Sequence, residues 1–190
     1  MTFLSALSDR LARLERSLLI ACVAAILGLI LLNVVTRTAN AALYWVDEVA
    51  VFVMVFATFI GASLMVRKRM DFAVTLLTDR LPDAPRRWAQ TLAAALTFGF
   101  AVMLLVLCWR WFDLPAFAQT GFDEKAFFRE TFNNIYREKT MTTGTLKVWF
   151  VLIMPWFALT LTIHALANFV EDLQAAIGKR EAVRHEEARI

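Results

Sequence analysis

The sequence predicts an all-α integral membrane protein with four transmembrane helices and flanking amphipathic interfacial helices. Three observations carry that prediction. Four stretches without Asp, Glu, Lys or Arg, at 17–36, 49–66, 88–109 and 148–170, run 20, 18, 22 and 23 residues. At a rise of ~1.5 Å per residue each matches a hydrocarbon core of ~30 Å. The chain is 59% hydrophobic with a mean hydropathy of +0.59, which leaves little of its 190 residues for a soluble domain. Its basic residues also sort by segment, as topology requires.

The first element is an amphipathic helix at about 3–16. Leu4, Leu7, Leu11, Leu14 and Leu18 recur at spacings of three and four, with Asp9, Arg10, Arg13 and Arg16 off the stripe. The pattern fits a helix lying on the cytoplasmic membrane surface before the chain turns in, or a short coiled-coil seam. The basic residues followed by an apolar run, with Ala39-Asn40-Ala41 beyond, mimic a secretory signal. Such a signal has an apolar region of ~7–15 residues, so a run of 20 reads as a retained span.

Between the first and second spans lie Arg37, Trp45, Asp47 and Glu48. An Arg37–Glu48 or Arg37–Asp47 pair, partly desolvated by Trp45, would tie this hairpin together. The second connection carries Phe72, Val74, Leu76, Leu77 and Leu81, then Pro82 and Pro85 and the basic pair Arg86-Arg87. That reads as a short interfacial helix and a turn. The third connection, 110–147, holds an amphipathic helical segment from Asp123 to Tyr136. Phe128, Phe132, Ile135 and Tyr136 are expected on one face. The face would serve as a docking platform for an extracytoplasmic partner, or rest on lipid headgroups. The fourth span contains Pro155, which frees the Val151 carbonyl and kinks the helix. Residues 1–175 thus form one four-helix membrane domain, with 176–190 as a polar cytoplasmic tail.

Charge sets the orientation. The connection from 67 to 87 holds six Lys and Arg residues, against one from 37 to 48. With both termini cytoplasmic, 13 basic residues lie inside and seven outside. Six of those seven share the 110–147 loop with Asp113, Asp123, Glu124, Glu130 and Glu138. Tyr44, Trp45, Trp109, Trp111 and Trp149 then mark the outer interface and Trp88 the inner one. The net charge of +3 reports this topology rather than a nucleic-acid partner.

Little in the spans can do chemistry. His164 is their only titratable side chain of the acid–base kind, and it lacks the carboxylate partner of a proton relay. A hydrogen-bonded interfacial histidine is the expectation. Haem held across a bundle takes two axial histidines, and the second one here, His185, is in the tail. Cys22 and Cys108 lie near opposite faces and cannot pair. No catalytic residue, cofactor or metal ligand set is predicted, and the chain reads as no enzyme. Ala24–Gly28, Ala57–Gly61 and Ala95–Gly99 are small-xxx-small pairs that let helices approach closely.

Several motifs resemble a known family. Asn33-Val34-Val35-Thr36-Arg37, Trp45-Val46-Asp47-Glu48, Phe59-Ile60-Gly61-Ala62, Val66-Arg67 and Leu76-Leu77-Thr78-Asp79-Arg80-Leu81-Pro82 fall in order. They resemble the small membrane subunit of TRAP transporters, the tripartite ATP-independent periplasmic systems. The likeness covers roughly 15–110, and 145–173 through hydropathy and a proline. Met70-Asp71-Phe72 stands where that family has a His and an aliphatic residue, and the third loop is longer.

The resemblance implies a scaffold in the bacterial inner membrane. It would anchor a large elevator-type permease that a sodium gradient drives, fed with organic acids by a periplasmic binding protein. Partners are then that permease, the binding protein and membrane lipids. Arg37, Trp45, Asp47, Glu48, Gly61 and Arg67 are the expected structural or subunit-contact positions. Two other readings compete: a membrane anchor subunit of an oxidoreductase, and an autonomous four-helix transporter.

Overall fold

A computed structural model describes residues 3–70 and 81–177, apart from the side chains at 83 and 84. Seven helices form among them. They are α1 (Phe3–Thr38), α2 (Tyr44–Arg67), α3 (Asp83–Phe112), α4 (Leu114–Gln119), α5 (Glu124–Thr131), α6 (Val148–Val151) and α7 (Ile153–Ala176). No strand occurs among the described residues, only an isolated antiparallel bridge between Lys139 and Leu146. Four helical stretches are long and apolar enough to cross a membrane: Phe3–Thr38, Tyr44–Arg67, Pro85–Gln119 and Val148–Ala176. The second connection's apolar residues 72–77 and most of the polar tail lie outside the described residues.

Helix ends follow from local chemistry. Asn40 is left-handed at φ 54, while Ala41 N–H donates to Thr36 O and Asn40 N–H to Arg37 O. That pair of bonds is a Schellman close for α1. The same pair, Met70 to Met65 and Arg69 to Val66, closes α2 with Arg69 at φ 54. Asn tolerates this conformation, whereas an arginine there is costly unless its surroundings hold it. The fourth span is interrupted at Leu152, between α6 and α7. Pro155 explains the break, since it has no N–H for the Val151 carbonyl.

The leucine-striped segment is not a separate surface helix. It runs unbroken into the first span within the 36 residues of α1. No proline lies between 3 and 38 and its one glycine, Gly28, falls well inside the apolar run, so continued hydrogen bonding is favoured over a turn.

The described chain divides into two compact units. One comprises the stretches up to residue 14, from 62 to 105 and from 158 onward; the other comprises 15–61 and 106–157. In the first unit α7 is the inner helix, with Ala158, Thr160, Leu161, His164, Ala165, Ala167 and Asn168 buried. Ser63 and Thr160 hydroxyls meet at 3.0 Å, and Phe98 and Phe169 stack at 6.4 Å. In the second unit Phe52 stacks on Phe150 at 3.9 Å, and Phe59 meets Phe157 at 5.1 Å.

The second unit also contains a small built core from the 110–147 loop. Phe112, Phe127, Ile135 and Tyr136 are buried there, with Ala116, Phe117, Val148 and Val151 against them. Tyr136 stacks on Phe117 at 3.8 Å, and Phe127 meets both rings edge-on. The helix expected over 123–136 stops at Thr131. Phe132 takes the left-handed conformation at φ 55 and ends it.

Candidate functional site

Two polar clusters, one in each unit, gather charged side chains near helix ends. The first is centred on Arg67, the last residue of α2. Its Nη2 donates to Asp9 Oδ1 at 2.8 Å and its Nε to the same oxygen at 3.0 Å. Its Nη1 donates to Asn168 Oδ1 at 2.9 Å and to Glu171 Oε1 at 3.1 Å. One guanidinium therefore joins α1, α2 and α7, using the planar fork that a lysine lacks. Its side chain is 10% exposed and that of Glu171 is 15% exposed, so water screens this pair little.

The cluster extends outward from that centre. Ser5 Oγ donates to Glu171 Oε1 at 2.8 Å, and Asn168 Nδ2 donates to the Val66 carbonyl at 2.6 Å. The latter gives the Val66 carbonyl a second donor beside the Arg69 N–H. Arg69 reaches Asp172 Oδ1 at 2.5 Å and Glu171 Oε2 at 3.3 Å. These contacts hold the arginine whose backbone is left-handed. His164 is fully buried, with Nδ1 2.6 Å from Ser8 Oγ. It is a hydrogen-bonded histidine within this cluster.

The second cluster lies where α1 and α2 meet at their connection. Arg37 Nη2 donates to Asp47 Oδ2 at 2.8 Å, and Arg37 Nε donates to Asn33 Oδ1 at 2.7 Å. Asn33 Nδ2 closes the triangle on Asp47 Oδ1. Of the two partners open to Arg37, the structure selects Asp47. The pair is not desolvated within this chain, since its side chains are 60% and 51% exposed, and Trp45 is exposed beside it.

Glu48 has a different task. Its carboxylate accepts from the backbone N–H groups of Met141, Thr142 and Thr143 at 2.7, 3.0 and 3.2 Å, and from the Thr142 hydroxyl. Successive N–H groups of a turn form such a concavity for an anion. The turn is itself built for it: Gly144 has φ 66, and Thr140 and Thr145 bond across it at 2.8 Å. Lys147 N–H donates to Glu138 O at 2.8 Å, which completes a hairpin-like loop. Glu48 thus fastens the loop tip to the start of α2.

Gly61 is occupied from within the second unit, because a Cβ there would lie 3.9 Å from the Leu19 methyls. That is ordinary van der Waals distance, so a methyl group would fit. A Cβ at Gly28 or Gly99 would meet nothing within 4 Å. The four aromatic-loop residues do not share a face. Ile135 and Tyr136 are buried in the loop core, while Phe132 is 81% exposed. Phe128 is half-buried with the Arg137 guanidinium 5.4 Å over its ring. The cause is the left-handed turn at Phe132, which breaks the helical register joining the four.

Tyr136 donates its hydroxyl proton to the Phe112 carbonyl at 2.6 Å, and Asn133 Nδ2 donates to Trp111 O at 2.6 Å. Burial, with the Asp113 carboxylate second, pushes the Tyr136 pKa up, so the hydroxyl stays a donor. Asp113 caps α4 from a left-handed backbone, and Asp123 caps α5 by accepting from Lys125 N at 2.8 Å.

Sequence reasoning singled out Arg67, Arg37 and Asp47 as structural or subunit-contact positions and did not single out Ser5, Ser8, Asn168, Glu171 or Asp172. A signal existed: Ser5, Ser8, Ala12 and Glu15 recur at helical spacing, as do Asn168, Glu171 and Asp172. Among the described residues no group of three His, Cys, Asp or Glu converges to hold a metal ion.

The family model for the DctQ component of tripartite ATP-independent periplasmic transporters matches residues 26–175. No curated protein and no solved structure matches the chain.

Proposed function

We propose that this chain, which belongs to the DctQ family of TRAP transporter components, acts as the scaffold on which the large permease subunit moves. The family is a transporter component and not an enzyme. The chain is accordingly the small permease subunit of such a system, and a multi-pass membrane protein. The finer reading has four parts: a large multi-span partner, a periplasmic binding protein, sodium coupling and an organic acid as substrate. Both termini face the cytoplasm of the bacterial cell in this reading, following the basic residues.

One observation carries the scaffold role. The four apolar stretches hold no Asp, Glu, Lys or Arg, and the charged side chains of the two clusters at their ends are engaged with other side chains of this chain. Such a bundle offers rigid helices and outward apolar surface rather than a polar path. The most apolar stretch of α1 has no buried residue at all, so its cover comes from lipid or another chain. Arg37, Trp45, Asp47 and Glu48 would meet the large subunit. Arg67 and Gly61 would hold the scaffold's own form.

Reconstitution tests the reading. Proteoliposomes with this chain alone should show no sodium-driven uptake of carboxylate substrates. Adding the large permease and the binding protein should restore it. Uptake by the chain alone would overturn the scaffold role.

A further inference from the structure

The 110–147 loop is pinned to the ends of the helices around it. Asn133 Nδ2 donates to the Trp111 carbonyl and the Tyr136 hydroxyl to the Phe112 carbonyl, each at 2.6 Å. The N–H groups of Met141, Thr142 and Thr143 hold Glu48. Trp111 and Phe112 stand two and three residues past the apolar stretch 88–109, and Glu48 one residue before 49–66. At the helical rise, these anchors lie ~2 to ~5 Å outside the hydrocarbon core. The headgroup layer on each side of that core is ~5–8 Å deep. Every anchor therefore lies within it, and the loop runs along the bilayer surface instead of standing off in water.

Two large apolar side chains sit at those anchors with little of this chain over them. Phe132, next to Asn133, is 81% exposed, and Met141, bonded to Glu48 through its N–H, is 94% exposed. The loop core of Phe112, Phe127, Ile135 and Tyr136 is built without either. Phe132 also holds a left-handed backbone at φ 55, where a bulky residue is an outlier and Gly or Asn would sit without strain. Strain of that kind is kept where it has a use, and here it turns an aromatic ring out of the core. Trp109, Trp111 and Trp149, at the neighbouring helix ends, are exposed as well. Tryptophans at the ends of apolar stretches mark the bilayer boundary, so Phe132 and Met141 extend a belt that already meets lipid.

We propose that the 110–147 loop is an interfacial ledge, with Phe132 and Met141 inserted into the lipid where headgroups meet acyl chains. Burying both side chains there removes from water the apolar surface that the loop leaves uncovered. The charges of the loop favour lipid over a charged protein partner. Its six basic and five acidic residues nearly cancel, so it offers neither sign as a handle. Lipid contact then holds the loop tip, and through Glu48 the start of α2, at a fixed depth. The ledge rests on the chain spanning a bilayer and not on its place in a transporter, so either can fail without the other.

Electron paramagnetic resonance on the full chain in lipid nanodiscs tests the proposal. A ketone-bearing phenylalanine analogue in place of Phe132 or Met141, coupled to a nitroxide, leaves Cys22 and Cys108 untouched. Glu130, an exposed charged position on α5, carries the same label as the water-facing comparison. Oxygen concentrates in lipid, whereas a neutral nickel chelate stays in water. The ratio of oxygen to nickel collisions should be severalfold higher at 132 and at 141 than at 130. A ratio at either position equal to that at 130 overturns the ledge. So does poor access by both reagents, which puts the residue under protein, a second copy of this chain included. If nickel reaches the labels until the large permease or the binding protein is added, the patch docks protein and the proposal falls.

Discussion

Arg67 and Arg37 each end a membrane helix and each pairs with an aspartate at 2.8 Å, yet they stand in opposite surroundings. Arg67 is 10% exposed and meets Asp9, Asn168 and Glu171 on two other helices. Arg37 is 60% exposed and meets only Asn33 on its own helix and Asp47 on the next. The first arrangement holds one fold together and keeps its central guanidinium largely out of water. The second holds a hairpin and presents its charges to whatever adjoins it. Ion pairing alone does not tell an internal lock from an outward contact. Exposure and the number of helices joined do.

Breaking the lock should have the largest effect on stability. Arg67→Ala leaves Glu171 and Asn168 short of their partner, at a cost of about 3 kcal/mol. A melting series in mild detergent should show the fall, and an unchanged midpoint would remove the distinction drawn here. Phe127→Ala, in the loop core, should cost a similar amount of about 3 kcal/mol but confine it to the loop. Hydrogen exchange would register that as lost protection in 112–148 with α7 unaffected.

Tyr136→Phe should cost about 1 kcal/mol, since the Phe112 carbonyl loses its donor. The sign of its pH dependence follows from the raised pKa. The contribution is intact below the unfolded value of 10.0 and is lost as pH rises past the higher folded value. A loop that loosens between pH 6 and 8 would contradict this.

The smallest stability effect belongs to Arg37→Ala, at under about 0.5 kcal/mol because the pair is solvated. Its effect should appear instead as lost recovery of the large subunit. Should Arg37→Ala melt as early as Arg67→Ala, the two clusters do the same work.

Much of this architecture was legible because length and hydropathy alone specify spanning helices. Arg37 and Asp47 were legible because a charge at the end of an apolar run needs a partner nearby, whereas Arg67 entered only through the family resemblance. The packed side of α1 was not legible. The leucine stripe reads as a face for the membrane surface or a partner helix, which leaves open what the opposite side packs against. In a bilayer the outside is apolar too, so Ser5 and Ser8 turn inward, where Glu171 and His164 meet them. The loop was half legible. Caps at Asp113 and Asp123 follow from residue type, but the left-handed turns at Phe122 and Phe132 occur at residues that rarely adopt them. Glu48 was one of two partners offered to Arg37, and its true contacts were hidden because they are backbone N–H groups 93 to 95 residues away.

The most direct test of the central claim is affinity purification of the tagged chain from its native membrane, with Arg37→Ala alongside at matched melting temperature. Wild type should bring down a large multi-span permease in stoichiometric amount, and the variant should lose most of it. Recovery of wild-type chain alone, or equal recovery of the permease by both, would contradict the account.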